Sequence, residues 1–513
     1  MLLPARTGSA AAAPRDVLRR AQAPSPELIL LVAVVVIGAT LRLASLTAQS
    51  LWVDEATTAH EMHLSLGALL HSVRVNETTP PLYFLLAWAW SKVFGSGELG
   101  LRLFSACLGI GLIPLAYSCA RELVSRRAGV VAAALVAVNP FMIWYSQEAR
   151  SYALFAVFSA ASFLFCARAW RAPTNRNLGW WAAFSALAVL THFFAGFLIL
   201  PEAVLLLVRV GRARPRGLML ALAVIAVAQA AVLPLALSDT SHPLGWIKIF
   251  PLSVRIQQVP VDFGLGALYQ SPIVTHGLLG AAVLAAIVLA LLAAGGDRAE
   301  RRGAAFAAAV AAVTLLVPVI LAALGRDYLV PRNLMPAWIP LAVVLGAACT
   351  VPRARIVGAG LAIVLLAAFV IAGVRIAQNP QYQRPNWRGV AAALGAAPGP
   401  RAIVAYDGGF AAQPLTVYMP GIPWQSRPDQ VVSVSEVDVV GSTWQSTIRP
   451  LPPGTTLISG RTVDGFLVER FMVTPGWQLS LSEIGRRAGT LLGPAPANPA
   501  VLVQRGSSQA PAN

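Results

Sequence analysis

Long apolar runs joined by short polar connections organise this chain. Segments long enough to cross a bilayer, or nearly so, run over 28–46, 99–120, 127–143, 151–170, 178–191, 193–210, 217–237, 276–294, 303–324, 332–350 and 354–375, eleven in all. The connections alternate in character. Arg15/Arg19/Arg20, Arg121/Arg126/Arg127, Arg168/Arg171/Arg176, Arg209/Arg212/Arg214/Arg216, Arg298/Arg301/Arg302 and Arg353/Arg355 fall in every second one, and the positive-inside rule makes those cytoplasmic. The opposite connections hold Asp54, Glu55, Glu61, Glu77, Glu98, Glu148, Asp239, Asp262 and Asp327. Carboxylates therefore gather on the outer side, where chemistry is to be sought.

One apolar segment, Pro80 to Phe94, would put the Arg121/Arg126/Arg127 cluster on the wrong side if it crossed. Its Trp and Tyr residues favour the interface, so with Met62 to Val73 it predicts two juxtamembrane helices in the first outer loop. The alternative is an ordinary hairpin crossing. The run 28–46 follows Arg15, Arg19 and Arg20 but is longer than a signal-peptide core and has no small-residue cleavage pattern after it, so it reads as an anchor. Beyond Arg375 the pattern changes. A polar stretch from Asn379 to Asn386 with two prolines leads into short strand-like runs, Ala402 to Tyr406, Thr456 to Ser459 and Phe466 to Val473. The expected architecture is an all-α polytopic membrane protein with a small C-terminal α/β extracytoplasmic domain. Its parts are a cytoplasmic tail (1–27), a transmembrane domain (28–375), the outer domain (376–505) and a disordered tail (506–513).

Composition supports this division. With 57% hydrophobic residues, 12% charged residues and a mean hydropathy of +0.67, the chain has too much apolar surface to fold in water. A net charge of +17 can signal nucleic-acid binding, but here the basic residues sit in short clusters between apolar runs, where they orient spans instead. Cys107, Cys119, Cys166 and Cys349 lie within apolar segments at none of the spacings of metal sites or disulfide frameworks, and read as small core residues.

The most informative polar stretch is Leu51-Trp52-Val53-Asp54-Glu55-Ala56, just after the first span. Adjacent carboxylates bordering an apolar interior are costly to dehydrate, which makes them functional candidates. Neighbours on a helix point about 100° apart, so one of the two faces substrate and the other turns toward another partner. A helix N-terminus using favourable negative charge explains the same pair without function.

This stretch, together with Thr79-Pro80-Pro81-Leu82-Tyr83-Phe84-Leu85-Leu86, Phe94-Gly95-Ser96-Gly97-Glu98-Leu99-Gly100-Leu101-Arg102-Leu103, the run from Asn139 to Tyr152 and Thr191-His192-Phe193-Phe194, resembles glycosyltransferase family 39 and its relatives. These are membrane glycosyltransferases of the GT-C fold, among them protein O-mannosyltransferases and the lipid A aminoarabinose transferase. The resemblance covers residues 28 to 390 and has several motifs in order. It implies an acidic motif and two juxtamembrane helices in the first outer loop, a polyprenyl-phosphate-linked sugar donor, and inverting displacement at the anomeric carbon.

Such a reaction needs a base for an acceptor hydroxyl and positive charge for the departing lipid phosphate. Asp54 is the expected base, with Glu55 the reserve or the residue that positions it. Arg102 and Arg332 are the expected phosphate cations, although each could be a snorkelling arginine that ends its helix. Glu148 and Arg150 are close enough in sequence to pair with one another, or Glu148 serves as a second catalytic carboxylate that binds acceptor. His192 could bond the donor phosphate or be a hydrogen-bonded structural histidine. Tyr328, Pro331, Arg332 and Asn333 resemble a family segment, which adds Tyr328 to the donor site. Arg42 and Glu202 are the charges deepest in the spans, where function or pairing inside the bundle explains them. Arg384, Asn386, Trp387 and Arg388 resemble the family's start of the outer domain and are expected to anchor it at the interface.

Asp54 and Glu55 could supply oxygen ligands to Mg²⁺ or Mn²⁺, but no Asp-X-Asp spacing is present, so a metal-independent reaction is favoured. The expected partners are the donor lipid, an extracytoplasmic glycan, lipid or protein acceptor, and the bilayer. The Ala, Arg and Gly bias fits a GC-rich bacterial genome and an undecaprenyl or decaprenyl carrier, which places the protein in the inner membrane. A lipid or sugar transporter would show inverted repeats with interrupted helices, and no such symmetry is found. A non-catalytic envelope scaffold is the third reading. The enzyme reading predicts an outer-side cavity lined by Asp54, Arg102 and Glu148 and open sideways to lipid.

Overall fold

A computed structural model describes residues 25–505 apart from 78, 211–213, 239–246, 249, 268–270, 398, 406–408, 420, 424–426, 443–452 and 490–499. Arg15, Arg19, Arg20, Arg212, Asp239 and Tyr406, and the tails at 1–24 and 506–513, lie outside the described residues.

The first helix, α1 (Pro26–Leu43), begins with proline at its first turn, where no backbone donor is lost, and with the Ser25 hydroxyl accepting from the Leu28 amide. Three short helices follow, α2 (Val53–Glu61), α3 (Leu66–Asn76) and α4 (Leu82–Phe94). The sequence predicted two; the acidic motif forms a separate third. With 13 residues α4 is about 20 Å long, well short of the roughly 30 Å hydrocarbon core. It is strapped in place by Trp88 Nε1 donating to the Leu64 carbonyl and Lys92 Nζ donating to that of Met62.

The bundle continues through α5 (Glu98–Leu123), α6 (Arg126–Val138), α7 (Pro140–Ser146), α8 (Tyr152–Arg171), α9 (Asn175–Thr191), α10 (Gly196–Val210), α11 (Pro215–Ser238), α12 (Leu252–Leu265), α13 (Gly277–Gly295), α14 (Arg298–Ala323), α15 (Trp338–Cys349) and α16 (Arg355–Gln378). Among the described residues nine helices are long and apolar enough to span, and α6 with α7, bent by 62° at Asn139-Pro140, would make a tenth. The eleventh segment expected, 178–191, is the 17-residue α9, which falls short of those spans. Small residues set the helix separations. A Cβ on Gly346 would stand 2.6 Å from the Ala128 carbonyl oxygen, and one on Gly303 would stand 1.9 Å from that of Leu123. α8 and α15 form the buried centre, whereas α1, α13 and α16 expose most of their apolar surface on the outside of the bundle.

Both deep charges are held by the bundle itself. Arg42 donates to the Gly38, Val136 and Ala137 carbonyls and to the Ser146 hydroxyl. Glu202 accepts from Ser162 at 2.6 Å and from Trp181 Nε1 at 2.8 Å. Cys119, Cys166 and Cys349 are buried as expected, but Cys107 faces outward from α5.

After α16 come α17 (Trp387–Leu394), β1 (Arg401–Ala405), α18 (Gly409–Tyr418), β2 (Val431–Ser442), β3 (Thr455–Val463), β4 (Phe466–Ser480), α19 (Leu481–Gly489) and β5 (Ala500–Gln504). The five strands form one sheet ordered β3-β4-β2-β1-β5, with β1 and β2 parallel and the other pairs antiparallel. All of β1 is buried, because Ile403 and Ala405 face α17 and α18 while Ala402 and Val404 face α19. The runs read from sequence are β1, β3 and β4; β2 and β5 were not legible.

Candidate active site

The sheet domain sits on the loop that carries the acidic motif. Tyr418 of α18 accepts from the Leu51 amide at 2.6 Å and donates to Glu98. Ser50 donates to the Pro385 carbonyl at 2.9 Å, Trp387 donates its amide to Ser50 at 3.0 Å, and Thr57 bonds Gln413. Residues 50–57 are thus fixed from both the bundle and the sheet domain.

Within α2 the two carboxylates part company. Glu55 is fully buried and accepts from Arg102 Nε at 2.8 Å, from Arg102 Nη2 at 2.5 Å and from the Ala149 amide at 2.9 Å. The Arg102 guanidinium holds the Glu55 carboxyl below the usual carboxylate range, overcoming the upward push of burial. Asp54 is half-buried, and its carboxylate has no hydrogen bond or ion pair among the described residues. Its charge nevertheless acts on Glu148, Arg150 and Arg332.

A cavity of about 400 Å³ opens beside this loop. Its wall includes Trp52, Trp144 and Tyr145, the polar groups of Glu148, Gln258, Asp262, Arg332 and Arg384, and Gly266 and Pro331. Glu148, 1% exposed, meets Arg384 Nη2 at 3.3 Å through Oε2, while its Oε1 has no partner among the described residues. Burial pushes its carboxyl up to about 7; Arg384 opposes that push and the charge on Glu55 adds to it. Arg384 lies 4.2 Å from the centre of the Trp144 ring, bonds the Trp144 carbonyl, and has an Nε without a hydrogen bond among the described residues, 3.8 Å from Glu55. Arg332 stands over the Tyr152 ring at 5.6 Å.

The site differs from the sequence expectation at several residues. Glu148 lines the cavity, but Arg102 does not, because its guanidinium is bonded to Glu55 and to the Leu46, Gln49 and Ser50 carbonyls. Asp54 is not in the cavity wall, though Trp52 two residues earlier is. Glu148 and Arg150 do not pair with one another. Arg150 is bidentate to Glu77, at 2.8 and 2.7 Å, on the far side of α2, and Glu148 goes to Arg384. His192 is 3% exposed and stacked on Phe155 at 4.6 Å, with Nδ1 accepting from the Phe194 amide. Burial, and then the charges of Arg332 and Arg150, push its imidazole down to about 3, so the ring is neutral. Tyr328 lies outside the wall against Phe194 at 5.4 Å, and its backbone carbonyl accepts from Asn333. Among the described residues no three His, Cys, Asp or Glu side chains cluster in an arrangement that could hold a metal ion, and both Glu55 oxygens are bonded to Arg102.

Residues 78–237 match the dolichyl-phosphate-mannose-protein mannosyltransferase family. Over these residues the chain is similar to that family. The solved structure of ArnT from Cupriavidus metallidurans in the apo state shares the fold at a TM-score of 0.52 and 14% identity, covering 86% of this chain and 97% of that one. The same enzyme bound to undecaprenyl phosphate matches with the same score, identity and coverage. No curated protein sequence matches. The GT-C architecture expected from the motifs is therefore present, with nine or ten spans among the described residues and a C-terminal mixed sheet.

The residue most misread from sequence is Arg384, expected to be an interface anchor. It crosses back under the sheet domain into the cavity, 4% exposed at its side chain, while Arg388 one turn on does the anchoring through Glu98. Gln258 and Asp262 were also passed over. The signal available was the spacing of Arg255, Gln258 and Asp262, which puts three polar groups on one face of α12.

Proposed function

We propose that this glycosyltransferase moves a sugar from a polyprenyl-phosphate carrier to a hydroxyl acceptor on the extracytoplasmic side, by inverting displacement. The acceptor is a glycolipid, an envelope polysaccharide or an exported protein. The sheet side of the bundle is then extracytoplasmic, with the N-terminus in the cytoplasm, as the basic clusters at the far connections require. One observation carries the reading: two arginines, Arg332 and Arg384, share a cavity wall with a buried carboxylate, Glu148, whose second oxygen is unpartnered. Permanent planar cations suit a departing phosphate, and carboxylates suit the proton of an attacking hydroxyl.

In this scheme Asp54 takes the acceptor proton as the acceptor oxygen bonds the anomeric carbon. The bond from that carbon to the phosphate oxygen breaks, and its electron pair leaves with the polyprenyl phosphate. Arg332 and Arg384 receive the released charge. Glu55, fixed by Arg102, positions α2 and hence Asp54, and Glu148 orients Arg384 and meets the acceptor. Membranes containing the protein, supplied with radiolabelled polyprenyl-phosphate sugars, should release free polyprenyl phosphate and move label to a lipid, glycan or protein fraction. Label that stays on the carrier with every sugar offered, or that crosses the membrane still attached to it, contradicts the proposal.

A further inference from the structure

One face of α12 points into the cavity without any stated role. Gln258 and Asp262 are one turn apart and line the same wall as Trp144 and Tyr145. The helix is held firmly behind them. The Phe263 carbonyl accepts from Asn139 Nδ2 at 2.8 Å and from Trp338 Nε1 at 3.0 Å, and Gly277 passes so close that a Cβ there would stand 2.2 Å from the Gln257 carbonyl oxygen. Arg255, one turn before Gln258, is closed off by a bidentate pair with Asp327 at 2.8 and 2.5 Å. Asp262 is only 8% exposed, yet among the described residues its carboxyl has no hydrogen-bond or ion-pair partner in the protein, and neither does the Gln258 amide. The half-buried Gln258 and the buried Asp262, whose nearest charge is Arg332, therefore present polar groups to the cavity from a rigid wall, where a polar ligand can bond them.

We infer that Gln258 and Asp262 bind hydroxyl groups of the donor sugar and set which sugar this enzyme accepts. The inference rests on the transferase reading above. An amide bonds hydroxyls as donor or as acceptor, and a carboxylate accepts from them. The rings of Trp144 and Tyr145 offer an apolar surface to the C–H face of a pyranose or furanose. Neither side chain takes part in bond making, so both are specificity residues and not catalytic ones.

The test uses the full-length protein in membranes with polyprenyl-phosphate mannose, glucose, galactose and arabinose, and with singly deoxygenated derivatives of whichever donor the wild type uses. In the wild type, removing the hydroxyl that Asp262 or Gln258 binds should lower kcat/KM by about 10- to 100-fold, because a charged or amide group is left unpaired. Asp262→Asn and Gln258→Leu should each be nearly indifferent to one such deletion while remaining sensitive to the others. Thermal unfolding within a few degrees of wild type separates this outcome from misfolding. Both variants keeping the wild-type pattern of deoxy-sugar penalties would overturn the inference while leaving the transferase reading intact. Absence of transfer by the wild type from any of the four donors would overturn both.

Discussion

Glu55 and Arg102 form a two-point ion pair, 2.8 and 2.5 Å, with side chains 0% and 1% exposed. It joins the first turn of α2 to the first turns of α5. Removing one partner leaves the other as an uncompensated buried charge, which costs about 3–5 kcal/mol. Glu55→Ala should therefore lower the unfolding midpoint markedly and abolish transfer, whereas Asp54→Asn should leave stability near wild type. Thermal unfolding of the purified protein in detergent distinguishes the two. Equal destabilisation would mean that Asp54 is structural as well.

Arg384 is the cation the proposal ties to both Glu148 and the leaving phosphate. Arg384→Ala should reduce transfer by about 10²- to 10³-fold and weaken retention of polyprenyl phosphate, and Arg384→Lys should recover only part of either, since a point charge cannot bond two partners in one plane. Donor-lipid binding and single-turnover rates measure these separately.

Glu148 gives the reaction a pH signature. Its carboxyl, pushed up to about 7 by burial, is ionised and paired with Arg384 only above that value. Transfer should rise as pH increases through about 7 and level off, and the inflection should vanish in Glu148→Gln. Stability moves the other way. A folded pKa above the reference value of 4.5 gives a contribution fully present below 4.5 and lost as pH rises through about 7. A pH–rate profile paired with unfolding curves over pH 5–9 checks both signs.

Tyr418 ties the sheet domain to the acidic loop. Tyr418→Phe removes the acceptor for the Leu51 amide and the donor to Glu98, at a cost of about 1–3 kcal/mol. The expected result is a several-fold fall in kcat with little change in donor affinity, together with faster proteolysis between α1 and α2. An unchanged kcat would show that the domain does not hold the loop.

Much of the fold was legible because periodicity and charge bias act locally. Apolar runs located the spans, and arginine clusters marked every second connection. β2 escaped because Glu436 and Asp438, held by arginines from neighbouring strands, interrupt it with charge, while β5 is five residues long and pairs with a strand about a hundred positions earlier. The site was half legible. Asp54 and Glu55 stood out as adjacent acids beside a span, but which of them is paired inside the bundle depended on Arg102, 47 residues away. Glu148 and Arg150 could not be assigned partners from proximity in sequence, since Arg384 and Glu77 come from other elements. Arg384 read as an interface anchor together with Arg388, but Arg384 turns to Glu148 whereas Arg388 pairs with Glu98.

The central claim is that Asp54 accepts a proton during sugar transfer. The direct measurement is single-turnover transfer from a radiolabelled polyprenyl-phosphate sugar by wild type and Asp54→Asn, at matched folded protein and saturating donor. A nearly isosteric amide cannot act as the base, so the rate should fall by about 10²- to 10⁴-fold while donor binding is retained. Transfer by Asp54→Asn at the wild-type rate would contradict the account.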